Sequence, residues 1–219
     1  MGASAFPPRP VLPVVAPRWA EPGRVPPQVT LALEDSLSLP GVLCALLAAR
    51  GYEDPERAKA FLRPVLSDLD PPELLAGIQQ AVARIDQAID EGQTILVHGD
   101  YDVDGVAGTA LLTRWIRRLG GSAVPFVPHR VADGYDLGLA GLEAASKAGA
   151  ALIVTVDSGI RAHDVVARAS ADGYDVIVTD HHTPAKTLPP ALAVVNPNRA
   201  DCPYPNKGLC GTGVAYRLS

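Results

Sequence analysis

Carboxylate and imidazole side chains are concentrated in one short stretch of the sequence, from His98 to Asp104. Within it, Asp100, Asp102 and Asp104 alternate with other residues. Three carboxylates this close repel one another, and a bound cation removes that cost. Carboxylate and imidazole together suit Mn²⁺, Mg²⁺ or Zn²⁺. The stretch is not an EF-hand, because Leu111 stands where the twelfth position of that loop requires Glu.

Two further stretches carry the same residue types. Asp157 follows an apolar run, and Asp180-His181-His182 follows the next one. A single aspartate after a strand usually caps the following helix, and adjacent histidines usually lie at the surface. Three such clusters, each at the end of an apolar run, favour a shared metal site instead.

The elements that position these clusters are short apolar runs that alternate with helical stretches. The runs cover residues 94–98, 123–127, 151–156, 175–179 and 192–196, and the helical stretches cover 106–119, 139–148 and 162–171. This alternation predicts an α/β fold with a mostly parallel five-stranded sheet flanked by helices. Ligands bind at the carboxyl ends of such strands, so the three clusters should converge. His129 and Arg130 follow the second run at the same edge.

The sequence before this region predicts two other segments. Residues 1–29 are expected to form a Pro/Ala-rich N-terminal extension, and residues 30–92 a helical region that packs on the α/β domain, which spans residues 93–219. Asp54 should cap a short helix with Pro55 at its first position. A longer helix should open at Pro72 and close at Gly92.

Composition limits the class of protein. The formal net charge is −5, so any nucleic acid would have to bind through a local basic surface. Three cysteines are an odd number without framework spacing, which favours free thiols in a reducing compartment. No apolar run is long enough to span a membrane. These features predict a soluble, cytoplasmic protein.

The order and spacing of the clusters resemble the first three motifs of the DHH family of phosphoesterases. These motifs are GDYDVDG at 99–105, VTVDSG at 154–159 and TDHH at 179–182. Further strings are similar to the RecJ branch of that family, whose members degrade single-stranded DNA. They are RW at 18–19, FLRP at 61–64, PHR and DGYDLG within 128–138, AVVNPN at 193–198 and LCGTGVAYRL at 209–218.

The resemblance implies roles for individual residues. The family's metal ligands fall on Asp102, Asp104, Asp157 and His181, and His98 matches a ligand position of the pyrophosphatase branch. A second set of motif residues orients ligands or meets the phosphate as part of the catalytic group: Asp100, Asp180 and His182. Arg130 and His129 are the candidate substrate-binding residues. Gly108 and Asp136 depart from the branch, which often has a hydroxyl residue and a glycine there.

The resemblance also implies an activity. It implies a single-stranded-DNA-specific 5′→3′ exonuclease of recombination and repair, with Mn²⁺ or Mg²⁺ as cofactor and two ions in the complete protein. Single-stranded DNA is the implied partner, together with a single-strand-binding protein and a helicase. The alternatives are a DHH phosphatase of short oligonucleotides or cyclic dinucleotides, and a non-catalytic DHH scaffold in a replication assembly.

The family's fourth motif is expected beyond Ser219, so the DHH domain is expected to be incomplete at its C-terminus. The 219 residues alone should then be poorly active. The final helix, predicted after Gly213, should have few partners for its apolar face, formed by Val214, Ala215 and Leu218.

Overall fold

The computed structural model describes residues 25–219, and the chain divides in sequence after Leu69 into two compact units. Most of the predicted extension, including the RW string, lies outside the described residues. The predicted division of the remainder at residue 92 stays a prediction.

Between residue 25 and Leu69, the structure describes three α-helices and a 3-10 turn at Leu66–Asp68. The helices are α1 (Pro27–Leu37), α2 (Gly41–Ala49) and α3 (Pro55–Leu62). Helix α1 begins inside the segment predicted as extension, with Pro27 at its first position. The side chain of Asp54 accepts a hydrogen bond from the backbone N–H of Arg57, which confirms the predicted cap of α3.

The described residues contain no single helix long and apolar enough to cross a membrane. Helices α1 and α2 meet that test of length and composition only when counted together across a bend of 117°.

The first α-helix of the second unit is α4 (Ile78–Asp90). The prediction that this helix opens at Pro72 is wrong. Pro72–Leu74 forms a separate 3-10 turn, and Gly77 has a φ of +84°, a left-handed conformation that interrupts the helical path. A side chain at position 77 would also collide with the backbone oxygen of Val194, so glycine allows this close approach.

A five-stranded, fully parallel sheet forms the centre of the second unit, which confirms the predicted fold class. The strands are β1 (Thr94–Gly99), β2 (Ser122–Phe126), β3 (Ala150–Val156), β4 (Asp175–Thr179) and β5 (Ala193–Val195). Their order across the sheet is β2-β1-β3-β4-β5. Strands β1, β3 and β4, which precede the three polar clusters, are therefore immediate neighbours.

The remaining helices connect and flank the strands. They are α5 (Val103–Arg118), α6 (Leu139–Ala148), α7 (His163–Ala171) and α8 (Gly211–Leu218). Helix α5 begins three residues before its predicted start, because the side chain of Asp102 caps it by accepting the N–H groups of Asp104 and Gly105. Gly108 lies where α5 meets β3, and a side chain there would collide with Val156.

Helix α8 differs from the prediction in its packing. Its apolar residues were expected to lack partners, but Val214, Ala215 and Leu218 are buried, and the helix packs against α5. The expectation of an exposed apolar face is wrong, because the close approach at Gly108 lets the two helices cover each other.

Candidate metal centre

The register of the sheet brings three aspartates into one row. Gly99 of β1 pairs with Val156 of β3, and Val156 pairs with Thr179 of β4. The next residue of each strand is an aspartate, namely Asp100, Asp157 and Asp180, and all three are buried. The convergence expected at the carboxyl edge is therefore present in the fold.

Two groups of side chains at this edge have the spacing of metal ligands. The first comprises Asp157, His181 and His182, and the second comprises Asp100, Asp102 and Asp157. Within each group the candidate ligand atoms lie within 4.8 Å of one another. Asp157 belongs to both groups, so it occupies the position of a residue that could contact two ions.

Asp157 is held in a conformation that few non-glycine residues adopt. Its φ is +61°, and its backbone N–H donates to the carbonyl of Thr179 at 3.0 Å. Its Oδ1 is buried and has no hydrogen-bond partner among residues 25–219, although Nε2 of His181 lies 3.1 Å away. Burial, followed by the nearby carboxylates of Asp104 and Asp102, raises the pKa of Asp157 to about 7.

Asp100 has the same character. Its Oδ1 is buried without a partner in the described part of the chain, and burial raises its pKa. Buried carboxylate oxygens without donors are costly in the absence of a cation. The carboxylates of Asp100, Asp102 and Asp157 form one donor set that fits a divalent cation such as Mn²⁺ or Mg²⁺, and Asp157 with the imidazoles of His181 and His182 forms a second.

Asp104 is fixed by the first residues of α8. Its carboxylate accepts the N–H groups of Gly211 and Thr212, each at 2.7 Å, and the hydroxyl of Thr212 donates to its backbone oxygen at 2.8 Å. Although burial opposes the shift, the hydrogen bonds from Thr212 and Gly211 hold the pKa of Asp104 below its usual value. Its Oδ2 lies 3.7 Å from Nε2 of His181.

The contribution of Gly211 and Thr212 was not predicted from the sequence. They lie within the string LCGTGVAYRL, which served only as a mark of the RecJ branch. The backbone N–H groups at the start of a helix bind anions, and a glycine followed by a hydroxyl residue marks such a site. This pattern could have identified Gly211 and Thr212.

Asp180 orients the two histidines that follow it. Its Oδ1 accepts the backbone N–H groups of His181 and His182 and lies 2.8 Å from Nδ1 of His182, while its Oδ2 accepts the N–H of Ile160. Although burial opposes the shift, the carboxylate of Asp180 raises the pKa of His182. The side-chain amides of Asn196 and Asn198 donate to the backbone oxygens of these histidines.

His98 is placed differently from the other candidate ligands. Only 1% of its surface is exposed, and its ring centroid lies 5.4 Å from that of Phe126. Neither ring nitrogen has a hydrogen-bond partner within the described residues, and burial lowers its pKa to about 4. Neither ligand group includes His98, and its role as a ligand stays a prediction.

The two candidate substrate-binding residues lie on the loop after β2. The guanidinium of Arg130 lies 4.5 Å above the ring of Tyr101, which contacts Tyr135 edge to face. Tyr135 in turn contacts His182 edge to face. His129 stabilises its own turn, because its Nδ1 accepts the backbone N–H groups of the second and third residues that follow it.

Comparison with known proteins agrees with this arrangement. The model of the DHH family, N-terminal domain, matches residues 94–219. The single-stranded-DNA-specific exonuclease RecJ of Dickeya dadantii is 44% identical over 182 residues, which are 83% of this chain and 31% of that protein. The chain thus spans about a third of the length of this relative.

Two solved structures are similar to the chain. RecJ from Thermus thermophilus in complex with Mn²⁺ has a TM-score of 0.67 at 34% identity and covers 89% of this chain and 27% of its own. A crystal structure of exonuclease RecJ bound to manganese has a TM-score of 0.59 at 42% identity and covers 66% of this chain and 36% of its own.

Proposed function

We propose that this chain, which belongs to the DHH family, carries the metal-binding edge of a single-stranded-DNA-specific 5′→3′ exonuclease that acts in recombination and repair. The observation that carries the proposal is the position of Asp157, which belongs to both groups of candidate ligands at the carboxyl edge of the sheet. The similarity to RecJ enzymes named as single-strand-specific exonucleases supports the choice of substrate.

The cofactor in this proposal is a pair of Mn²⁺ or Mg²⁺ ions. Asp157, which is common to both groups of candidate ligands, would hold the ions together with Asp102, Asp104 and His181. Bound there, the ions supply Lewis acidity for hydrolysis of a phosphodiester bond. Asp100, whose Oδ1 faces no donor in residues 25–219, could complete the second group.

The protein's own residues would bind and orient the phosphate. His182 is held by Asp180 through Nδ1, which fixes its ring beside Asp157. Although burial opposes the shift, the carboxylate of Asp180 raises the pKa of His182, and in this scheme the imidazole ring donates a hydrogen bond to a phosphoryl oxygen. In this scheme Asp180 positions His182 and does not contact the substrate.

Single-stranded DNA would contact the surface formed by Tyr101, Arg130 and Tyr135. Aromatic rings beside a guanidinium are the elements that bind single strands, because bases stack on rings and Arg holds phosphate. Because the overall net charge is −5, nucleic acid would have to bind through a local surface of this kind, whose positive charge comes from Arg130. We assign Arg130 to a phosphate contact and retain His129 as a second, weaker candidate.

A nuclease assay on the complete protein tests the proposal. Single-stranded and duplex DNA labelled at either end should be distinguished, with Mn²⁺-dependent release from the 5′ end of the single strand. The variant Asp157→Ala should lose at least about a hundredfold in rate, because it removes the shared ligand. Asp86→Ala, which changes an exposed aspartate of α4, is the matched control and should keep full activity.

Two outcomes would contradict the proposal. Cleavage restricted to dinucleotides or cyclic dinucleotides would favour a small-substrate phosphatase. Mn²⁺ binding without any hydrolysis would favour a scaffold. We further propose a single-strand-binding protein and a helicase as partners, and the cytoplasm as the compartment, because the activity requires access to unwound DNA. Co-purification from cells with and without DNase treatment would test the partners.

A further inference from the structure

Asp136 lies in the loop between β2 and α6 in a left-handed conformation. Its φ is +76°, in the region that favours glycine. Its Oδ1 accepts the backbone N–H of Leu137 at 2.8 Å and that of Gly159 at 2.5 Å. The second contact joins the loop after β2 to the turn after β3, 23 residues away.

The turn after β3 carries Asp157, and its backbone is held at several points. The backbone N–H of Asp157 donates to Thr179, the hydroxyl of Thr155 donates to the backbone oxygen of Ser158, and the N–H of Ile160 donates to Asp180. These contacts come from within β3 and from β4. The N–H of Gly159 is the point of the turn that is held from the β2 side of the sheet.

Backbone strain in this turn makes an external anchor useful. Both Asp157, at φ +61°, and Gly159, at φ +99°, lie in the left-handed region. Such a conformation costs about 1 kcal/mol or more for a non-glycine residue and persists only where surrounding contacts enforce it. A hydrogen bond from the backbone N–H of Gly159 to a side-chain oxygen outside the turn supplies such a contact.

We propose that Asp136 is a positioning residue that fixes the turn of Asp157 through the N–H of Gly159, and so sets the geometry of the shared metal ligand. The inference rests on the proposed function for its metal, but the contact itself exists without one. Asp136 acts as a hydrogen-bond acceptor in this role, so its charge is dispensable and its oxygen is not.

Two substitutions of Asp136 separate the role of the acceptor from that of the charge, and a third substitution in the same loop is the control. Asp136→Asn keeps an oxygen acceptor and a residue that tolerates the left-handed conformation. Asp136→Gly removes the acceptor and relieves the strain. Asp133→Gly is the matched control, because Asp133 lies in the same loop and accepts the N–H of His129, without reaching Gly159.

Hydrogen exchange in the metal-free protein tests the contact directly. The amide of Gly159, followed by NMR, should exchange about tenfold faster in Asp136→Gly, as loss of one buried hydrogen bond predicts. It should remain protected in Asp136→Asn and in Asp133→Gly. Unchanged protection in Asp136→Gly would overturn the proposal.

Mn²⁺ binding, measured by electron paramagnetic resonance of the free ion, tests the consequence. Asp136→Gly should weaken binding about tenfold, which is the effect expected for a residue that supports a ligand without touching the ion. Asp136→Asn should restore binding to near the original value. Equal losses in the two variants would mean that the charge matters and the acceptor does not, which overturns the proposal.

The two proposals fail in different ways. If the unaltered protein does not bind Mn²⁺, the proposed function fails, and the exchange measurement on Gly159 still decides whether Asp136 anchors the turn. If the unaltered protein binds Mn²⁺ and both Asp136 variants bind it as tightly as the unaltered protein does, the positioning role fails while the metal centre stands.

Discussion

Within strand β3, residues 152–156 are buried, and all but Thr155 are apolar, whereas the next residue, Asp157, is equally buried and carries a carboxylate. The strand interior gains stability from burial of its side chains. The edge loses stability from the same burial, because the oxygen of Asp157 has lost water and has gained no donor from the described residues. One strand thus passes within a single residue from a stabilising environment to a destabilising one.

The backbone changes at the same point. From Ile95 onward β1 pairs with β3 without a shift in register, and β3 pairs with β4 in the same way, but Asp157, Gly159 and Asp136 at the edge all have positive φ. Strain and unpaired charge in one place are typical of a functional site whose cost is borne by the rest of the fold. The strand interior therefore stabilises the fold, and the carboxyl edge provides the groups for chemistry. Substitutions can test the two roles separately.

The largest expected effect on stability lies in the interior. Ile153 is fully buried, in a core cluster that includes Leu142 of α6 and Val166 of α7. Ile153→Ala should lower the free energy of unfolding by about 2 to 5 kcal/mol, through lost burial and the cavity left behind. Urea denaturation followed by circular dichroism would measure it. A loss below about 1 kcal/mol would contradict the view that the strand interior carries the stability.

At the carboxyl edge, a substitution of Asp157 is expected to raise the free energy of unfolding instead of lowering it. The pKa of Asp157 in the folded, metal-free protein is raised to about 7, so the folded state binds its proton more tightly than the unfolded state does. Stability from this group is present at low pH and is lost as pH rises from about 4 to about 7.

Replacement of Asp157 by Asn removes this pH dependence. At pH 8, metal-free Asp157→Asn should be more stable than the unaltered protein by about 1 to 2 kcal/mol, and the difference should vanish near pH 4. Thermal unfolding across this range, with EDTA present, is the measurement. Asp86→Asn, at an exposed position, should leave the curve unchanged. Parallel curves for both variants would show that burial of Asp157 does not destabilise the fold.

Much of this contrast could be predicted from the sequence. The apolar runs and the polar residues that end them are local patterns, and parallel pairing necessarily brings neighbouring strand ends together, so the row of Asp100, Asp157 and Asp180 was predictable. The start of α4 was not predictable, because Pro72 resembles a helix start, and the close approach of Gly77 to the backbone oxygen of Val194 is visible only in the folded chain.

Other features depend on contacts between distant parts of the chain. Thr212 reaches Asp104 across 108 residues, and Asp136 reaches Gly159 across 23. No periodicity or local motif encodes either pairing. The burial of α8 was likewise missed, because the space for it is created by Gly108 on another helix.

A smaller effect is expected at the substrate surface. Arg130 is exposed, and its guanidinium lies over the ring of Tyr101. Arg130 itself lies on the loop after β2, which carries none of the candidate ligands. Arg130→Ala should weaken binding of single-stranded DNA about tenfold, as expected for loss of one bidentate phosphate contact, with Mn²⁺ affinity unchanged. Fluorescence anisotropy at two salt concentrations would measure it. A fall in Mn²⁺ affinity would instead place Arg130 within the metal centre.

The smallest effect is expected at the contact between Asp104 and the first residues of α8. Thr212 donates its hydroxyl to the backbone oxygen of Asp104, and its N–H to the carboxylate of the same residue. Thr212→Val keeps the shape and the N–H but removes the hydroxyl, so it should cost about 0.5 to 1.5 kcal/mol of stability. Mn²⁺ affinity should fall only a few-fold, roughly the factor that such an energy represents, because the two N–H groups still hold the carboxylate. Thr212→Ser restores the hydroxyl and should recover both values. If Thr212→Val lowers stability without any change in Mn²⁺ affinity, then α8 supports the interior alone, and the boundary between the two regions lies closer to Asp157 than we infer.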